Sequence, residues 1–436
     1  MIARRSAPSA SLVRLLYSAI LYLLLPVVLL RLAARGLRNR GYWHRWNERF
    51  GLFTQPVLHA PVWVHAVSVG ETQAAAPLLR ELLARYPERS LVITSTTPTG
   101  SARVRALFED ELGDRVFHVY LPYDLPGAVA RFLNRVQPAL AVVMETELWP
   151  NLFHHCARRG IPLVLANARL SARSAHGYAR LGGLVRETLG NLRLIAAQGG
   201  ADAERFRRLG APAAAVEVLG NIKFDQRMPA DLADRAAVLR RELGSNRPVW
   251  IAASTHEGED EQVLDAFERM QGSYPDALLM LVPRHPERFA RVASLAQRRG
   301  HAVVRRSEAR PCGAETTVFV GDTLGELPLF YAAADVAFVG GSLVPRGGHN
   351  MLEPAGLGLP VVTGPHWDNF REIGRALLDA GAAREVADAE ALAAVVAELL
   401  GDAARRAAMG EAGRRLVADN RGATQRLLAR LDGYLA

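Results

Sequence analysis

At 436 residues the chain is too long for one ordinary hydrophobic core, so about two domains plus an appendage are expected. Half of it is apolar, and its net charge of +9 is spread along the chain rather than gathered in a tail; this suits anionic surfaces or substrates and does not single out nucleic acid. Cys156 and Cys312 lie far apart with no C-x-x-C pattern, which excludes a disulfide framework and fits a reducing compartment.

The first element is an uncharged run of 16 residues, Leu15 to Leu30. Arg4, Arg5 and Arg14 precede it, and Arg31, Arg35, Arg38, Arg40, Arg45 and Arg49 follow. A straight helix of that length covers roughly 24 Å against a hydrocarbon core of about 30 Å, and flanking arginines extend it by snorkelling. Two arrangements fit, a membrane-spanning signal-anchor and a deeply inserted monotopic helix. The larger charge excess puts the following domains on the cytoplasmic side. A cleaved signal peptide fits less well, because no small-residue cleavage site precedes RGLRNRGYWHRW. From Arg35 to Arg49 arginines alternate with Tyr42, Trp43 and Trp46. This collar is either a solvated juxtamembrane segment, attracted to anionic lipid by ~1 kcal/mol per basic residue, or a grip for the phosphates of a lipid-linked substrate.

From Pro61 onward short apolar runs alternate with helical ones, the pattern of βαβ units and parallel sheets. WVHAVSV, LVITST, AVVMET, PLVLANA and LIAAQG are the expected strands of a first half; VWIAAS, ALLMLVP, TVFVGD, VAFVGG and PVVTGP are those of a second. The polar stretch from Asp225 to Pro248 connects them. The expected organisation is an anchor with its basic flank (1–35) and two Rossmann-like domains (36–225 and 226–436) facing a cleft.

SVGET places Glu71 between a strand and a helix expected to begin near Thr72. The helix field stabilises a carboxylate there by ~0.3–1 kcal/mol, a purely structural use. The same field favours the ionised form, so Glu71 is also a candidate general base, and Gly70 leaves its approach open. STTPTGS (Ser95 to Ser101) suits sugar hydroxyls or phosphate. In METELWPN, Glu145 and Glu147 point the same way if the strand continues; capping of the next helix competes with metal binding, and without a His-x-His or Asp-x-Asp partner no metal site is expected. NARLSARS adds Arg169 and Arg173, and His154 and His155 start a helix face.

Of the 53 basic residues, Lys223 in GNIKFD is the single lysine. A compact ammonium differs from a guanidinium fork in geometry and hydration, so this position is a candidate site residue as well as a survivor of an arginine-rich composition.

In the second half, Ser254, Thr255 and His256 end one strand, and PRHPER puts Arg284 at the end of another, where a guanidinium fork suits a phosphate or carboxylate. GDTLGEL offers backbone donors around Gly325 and the carboxylate of Glu326. In GGSLVPRGGHNMLEPAGLG the Gly347-Gly348 pair lets backbone approach a ligand. Asn350 caps a short helix there, and its amino end attracts anions. Glu353, near the third helical position, serves either as a capping-box-like carboxylate or as a partner for nucleotide sugar hydroxyls. Each loop alone is a weak signal, and four at successive strand ends are a stronger one.

SVGET, ETELWPN, NARLS, GNIKFD, PRHPER, GDTLGEL and GGHNMLEPAGLGLPV together resemble, in order and spacing, the 3-deoxy-D-manno-octulosonate (Kdo) transferases of lipopolysaccharide assembly, over nearly the whole chain. The resemblance implies an α/β chain with the B-type glycosyltransferase fold. It also implies a CMP-Kdo donor and a lipid A precursor (lipid IVA) acceptor at the cytoplasmic face of the inner membrane, without cofactor, metal or nucleic-acid partner. Carried over motif by motif, Glu71 is the general base, and Glu145 and Lys223 stabilise the transition state. Pro283 and Arg284, Leu324, Gly325 and Glu326, and Asn350, Met351, Leu352 and Glu353 then bind CMP. Leu324 stands where methionine is also used, a change that leaves a backbone contact intact. Val361 lies eight residues after Glu353, so the E-x7-E pattern of retaining relatives is missing and inversion is expected.

Three other readings compete. An inverting UDP-sugar transferase acting on another lipid-linked acceptor wants contacts for a second phosphate. A nucleotide-sugar epimerase needs neither the apolar helix nor the collar, and a membrane-anchored scaffold is indifferent to Glu71.

Overall fold

The computed structural model describes residues 10–54, 57–226 and 228–435. It divides into two compact units: residues up to Asp225 together with the segment from Arg421 on, and Gln226–Asn420.

The first unit is built on β1 (Val62–His65), β2 (Leu91–Ser95), β3 (Val116–Tyr120), β4 (Leu140–Met144), β5 (Leu163–Ala168), β6 (Leu194–Ala197) and β7 (Val216–Val218). They form one parallel sheet in the order β3-β2-β1-β4-β5-β6-β7. Helices cover both faces, so the central strands are near-continuous Val, Leu, Ile and Ala rather than alternating. Val62, Val64, Val142 and Ile93 pack on one face against Leu78, Leu79 and Leu82 of the helix Val69–Arg85. Trp63, Val92 and Val143 pack on the other against Phe132 and Phe153, as the two-residue period of a strand requires.

The second unit repeats the plan with β8 (Val249–Thr255), β9 (Leu278–Pro283), β10 (Val303–Arg305), β11 (Val318–Val320), β12 (Val336–Val339), β13 (Val361–Thr363) and β14 (Ala383–Glu385). Its parallel order is β10-β11-β9-β8-β12-β13-β14. The ten expected strands are present, and four more, β3, β7, β10 and β14, were not anticipated. These four are the two edges of each sheet.

The carboxyl-terminal helix Ala423–Leu435 corrects the expected second domain of 226–436. Leu427, Leu428 and Leu431 join the core of the first sheet beside Leu78 and Ile93, and Asp225 accepts the N–H groups of Gly422 and Thr424 at 2.6 Å each.

The amino-terminal helix α1 (Ala10–Arg38) outruns the apolar segment at both ends, and over Leu12–Leu37 it is long and apolar enough to cross a membrane. Arg4 and Arg5 lie outside the described residues. One stripe of α1 is docked on the first unit: Tyr17 donates to Asp124 (3.0 Å), Ser18 to Asn151 (3.1 Å), and Arg14 pairs with Glu187 (3.3 Å). The opposite stripe, with Leu15, Leu23, Leu30 and Leu37, is exposed.

The collar is not a free solvated segment. It folds into the 3-10 turns Arg40–Trp43 and Trp46–Phe50. Arg45 pairs with Glu48 (2.6 Å), whose carboxylate accepts the Tyr120 N–H of β3 (2.8 Å). Arg45 and Arg49 both lie over the Tyr120 ring, at 4.6 and 4.4 Å.

Candidate functional site

In the first sheet the chain turns outward on either side of β1 and β4, and ligands of such sheets bind where the strand order reverses. Glu71 follows β1 directly. It is the third residue of α2 (Val69–Arg85), which starts three residues before the expected Thr72 because Ser68 caps it. The Ser68 hydroxyl accepts the Glu71 N–H and donates to its Oε1 (3.2 Å), and Oε2 accepts the Val67 N–H (2.9 Å). This capping box fixes the carboxylate. Its protonation differs from the expectation that the helix field dominates. Burial pushes the Glu71 carboxyl up to about 7, and the charges of Glu145 and Glu147 add to this against the Val67 and Ser68 hydrogen bonds.

Glu145 follows β4, but the strand does not continue through Glu147 as the same-face reading required. Glu145 takes a left-handed conformation, φ 57°, that re-aims the chain. For a residue with a Cβ this conformation costs about 1–2 kcal/mol. Its N–H still donates to Ala166 (2.9 Å), and its Oε1 accepts Lys223 Nζ at 2.8 Å, with side chains 15% and 19% exposed. The carboxylate is thus spent on an ion pair. No group of three or more His, Cys, Asp or Glu positioned to hold a metal occurs among the described residues.

Lys223 sits in the 3-10 turn Ile222–Asp225, beyond the edge strand β7. The turn is led back across the strand ends by side chains that the motif reading passed over. Asn167, also left-handed at φ 51°, accepts the Ile222 N–H (3.1 Å); Asn221 accepts the Lys223 N–H (3.0 Å) and donates to Gln198 (3.0 Å).

The second unit carries its own constellation where β8 and β12 adjoin. Gly340 and Gly341 follow β12, and the wholly buried Glu259 holds that turn by accepting the N–H groups of Gly341 (2.7 Å), Ser342 (3.0 Å) and Leu343 (2.9 Å). His256 after β8 and His349 stack with their Nε2 atoms 2.8 Å apart. Burial lowers His256 to about 4 and His349 to about 3, with Arg284 and neighbouring histidines adding, so both rings are neutral near pH 7. Pro283 ends β9. The Arg284 N–H donates to Thr255 (3.0 Å), while its guanidinium forms no ion pair among the described residues.

Asn350 caps the short helix Leu352–Leu357 by accepting the Leu352 N–H (3.1 Å), with Met351 at the cap position. Glu353 is not part of a capping box. It accepts from Asn350 Nδ2 (3.0 Å), and burial pushes its carboxyl up. Leu324 is exposed and Gly325 is left-handed (φ 85°), which leaves their backbone open. The Glu326 carboxylate is already held by Arg306 (3.0 Å) and Thr323 (2.6 Å), so from Leu324 to Glu326 the polar groups left to meet a ligand are those of the backbone.

A family model described as 3-Deoxy-D-manno-octulosonic-acid transferase (kdotransferase) matches residues 44–226. A 3-deoxy-D-manno-octulosonic acid transferase of Haemophilus influenzae is 45% identical over 97% of this chain and 99% of its own, and one of Bordetella pertussis is 41% identical over 96% and 99%. The chain belongs to the 3-deoxy-D-manno-octulosonic acid transferase family. This Kdo transferase is therefore a glycosyltransferase. A solved UDP-GlcNAc 2-epimerase from Neisseria meningitidis bound to UDP-GlcNAc covers 85% of the transferase and 99% of itself, with a TM-score of 0.57 and 15% identity, a likeness of fold alone. The fold is α/β with two Rossmann-like units, that of the B-type glycosyltransferases.

Within one unit the transferase brings Glu71, Glu145 and Lys223 to neighbouring strand ends; within the other it brings Arg284, Asn350 and Glu353 together. Asn167, Gln198, Asn221, Glu259 and His349 were not singled out from the sequence. A signal for three of them was present, since Asn167 opens NARLS, Asn221 lies in GNIKFD and His349 directly precedes Asn350.

Proposed function

We propose that the transferase moves Kdo from CMP-Kdo to a lipid A precursor, lipid IVA, with inversion at the anomeric carbon. The observation that carries this reading is a carboxyl held near pKa 7, Glu71, beside an ammonium–carboxylate pair, Lys223 and Glu145, at adjoining strand ends. A base of that strength is matched to a hydroxyl acceptor at neutral pH. Glu71 takes the proton of the acceptor hydroxyl, whose oxygen forms the new bond to the anomeric carbon. The bond to the CMP phosphate breaks from the opposite side, and its electron pair leaves with the phosphate oxygen. Lys223, oriented by Glu145, offsets the anionic charge of the 2-keto acid donor as the bond breaks. In the second unit, Arg284 is assigned to the CMP phosphate, and the backbone of Leu324 to Glu326 and the Asn350–Glu353 pair to the nucleoside.

The same reading places the enzyme at the cytoplasmic face of the inner membrane, held by α1. The test is mass spectrometry of a tetraacylated lipid A precursor incubated with purified protein and CMP-Kdo generated in situ, with EDTA present. A mass gain of one or more Kdo units is expected. No gain with EDTA or with magnesium overturns the donor and acceptor assignment.

A further inference from the structure

At the carboxyl ends of β1 to β4 the first unit encloses a cavity of about 360 Å³. That lies within the ~300–1,000 Å³ range of small-ligand pockets. Val67, Thr96 and Thr97 line it from the strand-end loops. Val67 is also the residue whose N–H holds the Glu71 carboxylate, so the cavity comes within one residue's contact of the candidate base. The second half of α1 supplies another wall.

Charge in this cavity is unbalanced. Arg31 and Arg35 from α1 and Arg49 from the collar line it, and none of the three forms an ion pair among the described residues; Arg14 and Arg45, in the same two segments, have carboxylate partners. Arg49 is only 5% exposed. Among the described residues its side chain donates one hydrogen bond, to the Thr96 carbonyl (2.9 Å), and lies over the Tyr120 ring, while its buried Nε has no partner there. A guanidinium buried without a counter-charge is costly by several kcal/mol, and an anion in the cavity offsets that cost. Glu147 shares the wall, and its one carboxylate does not balance three guanidinium groups. Three planar forks match the terminal oxygens of a phosphate monoester better than the two oxygens of a carboxylate. The cavity has room for the sugar that bears the phosphate. Its apolar lining, Val28 and Leu32, belongs to the helix whose adjacent Val27 and Leu30 are exposed.

We propose that this cavity seats a phosphate monoester of the membrane-borne acceptor, gripped by Arg31, Arg35 and Arg49. The assignment rests on the acceptor class proposed above and names the group by which that acceptor is held.

The test uses the full chain in mixed micelles and compares kcat/KM for the lipid A precursor with that for the same lipid after phosphatase treatment. Wild type should prefer the phosphorylated lipid at least tenfold. The Arg31→Gln/Arg35→Gln double variant, chosen because both residues are exposed, should lower that ratio to within about threefold. Arg40→Gln, which removes a charge from the same segment outside the cavity, should keep it. An unchanged ratio in the double variant overturns the proposal, and so does an equal loss of preference in Arg40→Gln, which would assign the effect to general surface charge. Protection of the protein from an arginine-specific reagent separates the sources of phosphate. Micellar phosphatidate should protect, and equal protection by inorganic phosphate overturns the lipid assignment. Failure to transfer Kdo to either lipid, with phosphatidate protection still lost in the double variant, sinks the proposed reaction and upholds the site.

Discussion

Glu71 keeps its proton almost to neutrality because burial and two neighbouring carboxylates outweigh a capping box that, on an open surface, would do the opposite. Below about pH 4.5, the ordinary value, folded and unfolded chains both hold this proton. Between 4.5 and about 7 the unfolded chain releases it first, so stability falls as pH rises through that window and levels off above it. Turnover should rise over the upper part of the same range, with an apparent pKa near 7. Glu71→Gln keeps the capping acceptor but cannot take a proton; it should fold, melt no lower than wild type at pH 8, bind CMP, and transfer at least ~1,000-fold more slowly. Lys223→Arg preserves charge but replaces a point ammonium 2.8 Å from Glu145 with a fork that does not fit the same space, and kcat should fall ~100-fold with the KM for donor little changed. Wild-type turnover in that variant would return Lys223 to an accident of composition. Lys223 was legible because it is the single lysine of the chain. His256 and His349 were not legible as a pair, because nothing in either segment tells that two loops 93 residues apart adjoin at one strand boundary.

Elements were legible to the extent that their burial is symmetrical. The strands read from the sequence are those with sheet on both sides and helices on both faces, whose burial makes them continuous apolar runs. The four that were missed each pair with a neighbour on one side only. Val-Glu-Val, Val-Val-Arg and Ala-Arg-Glu are three residues long with a single buried position in each, and His118 interrupts the third strand of the first sheet. Edge strands tolerate such residues, and their charge blunts pairing with other chains. The amino-terminal helix shows the converse. Its apolar run was plain, but a run of leucines does not tell which stripe meets protein. Docking through Arg14, Tyr17 and Ser18 means that a helix crossing the bilayer would carry Asp124 and Glu187 toward hydrocarbon, where a charged side chain costs at least ~2.5 kcal/mol. The helix is therefore expected to lie in the membrane plane with Leu15, Leu23 and Leu30 in lipid. In a Cys312→Ala background, Ser6→Cys and Arg40→Cys should both react with an impermeant maleimide from the cytoplasmic side. Labelling from opposite sides would establish a spanning helix instead.

At the scale of the whole molecule the chain does not simply finish one domain and then the other. The last helix returns to the first unit, and its stripe of Leu427, Leu428, Leu431 and Leu435 is buried at 4% exposure or less. That stripe is evident in ATQRLLARLDGYL, yet amphipathicity names a face and not the core it meets. The consequence is a separation of stabilities that a simple succession of domains does not give. Leu431→Ala opens a cavity in the core that carries the strand before Glu71, and a loss of ~2–5 kcal/mol is expected there. CMP, assigned to the second unit, should stabilise that unit alone, by ~2.7 kcal/mol at a hundredfold excess over its Kd. Urea unfolding followed by hydrogen exchange should resolve both effects in one protein. Amides of β1 and β2 lose protection in Leu431→Ala while those of β8 and β12 keep it, and CMP raises protection in β8 and β12 only. If Leu431→Ala lowered protection in β8 and β12 as much as in β1, the terminal helix would belong energetically to the second unit and the two cores would unfold as one.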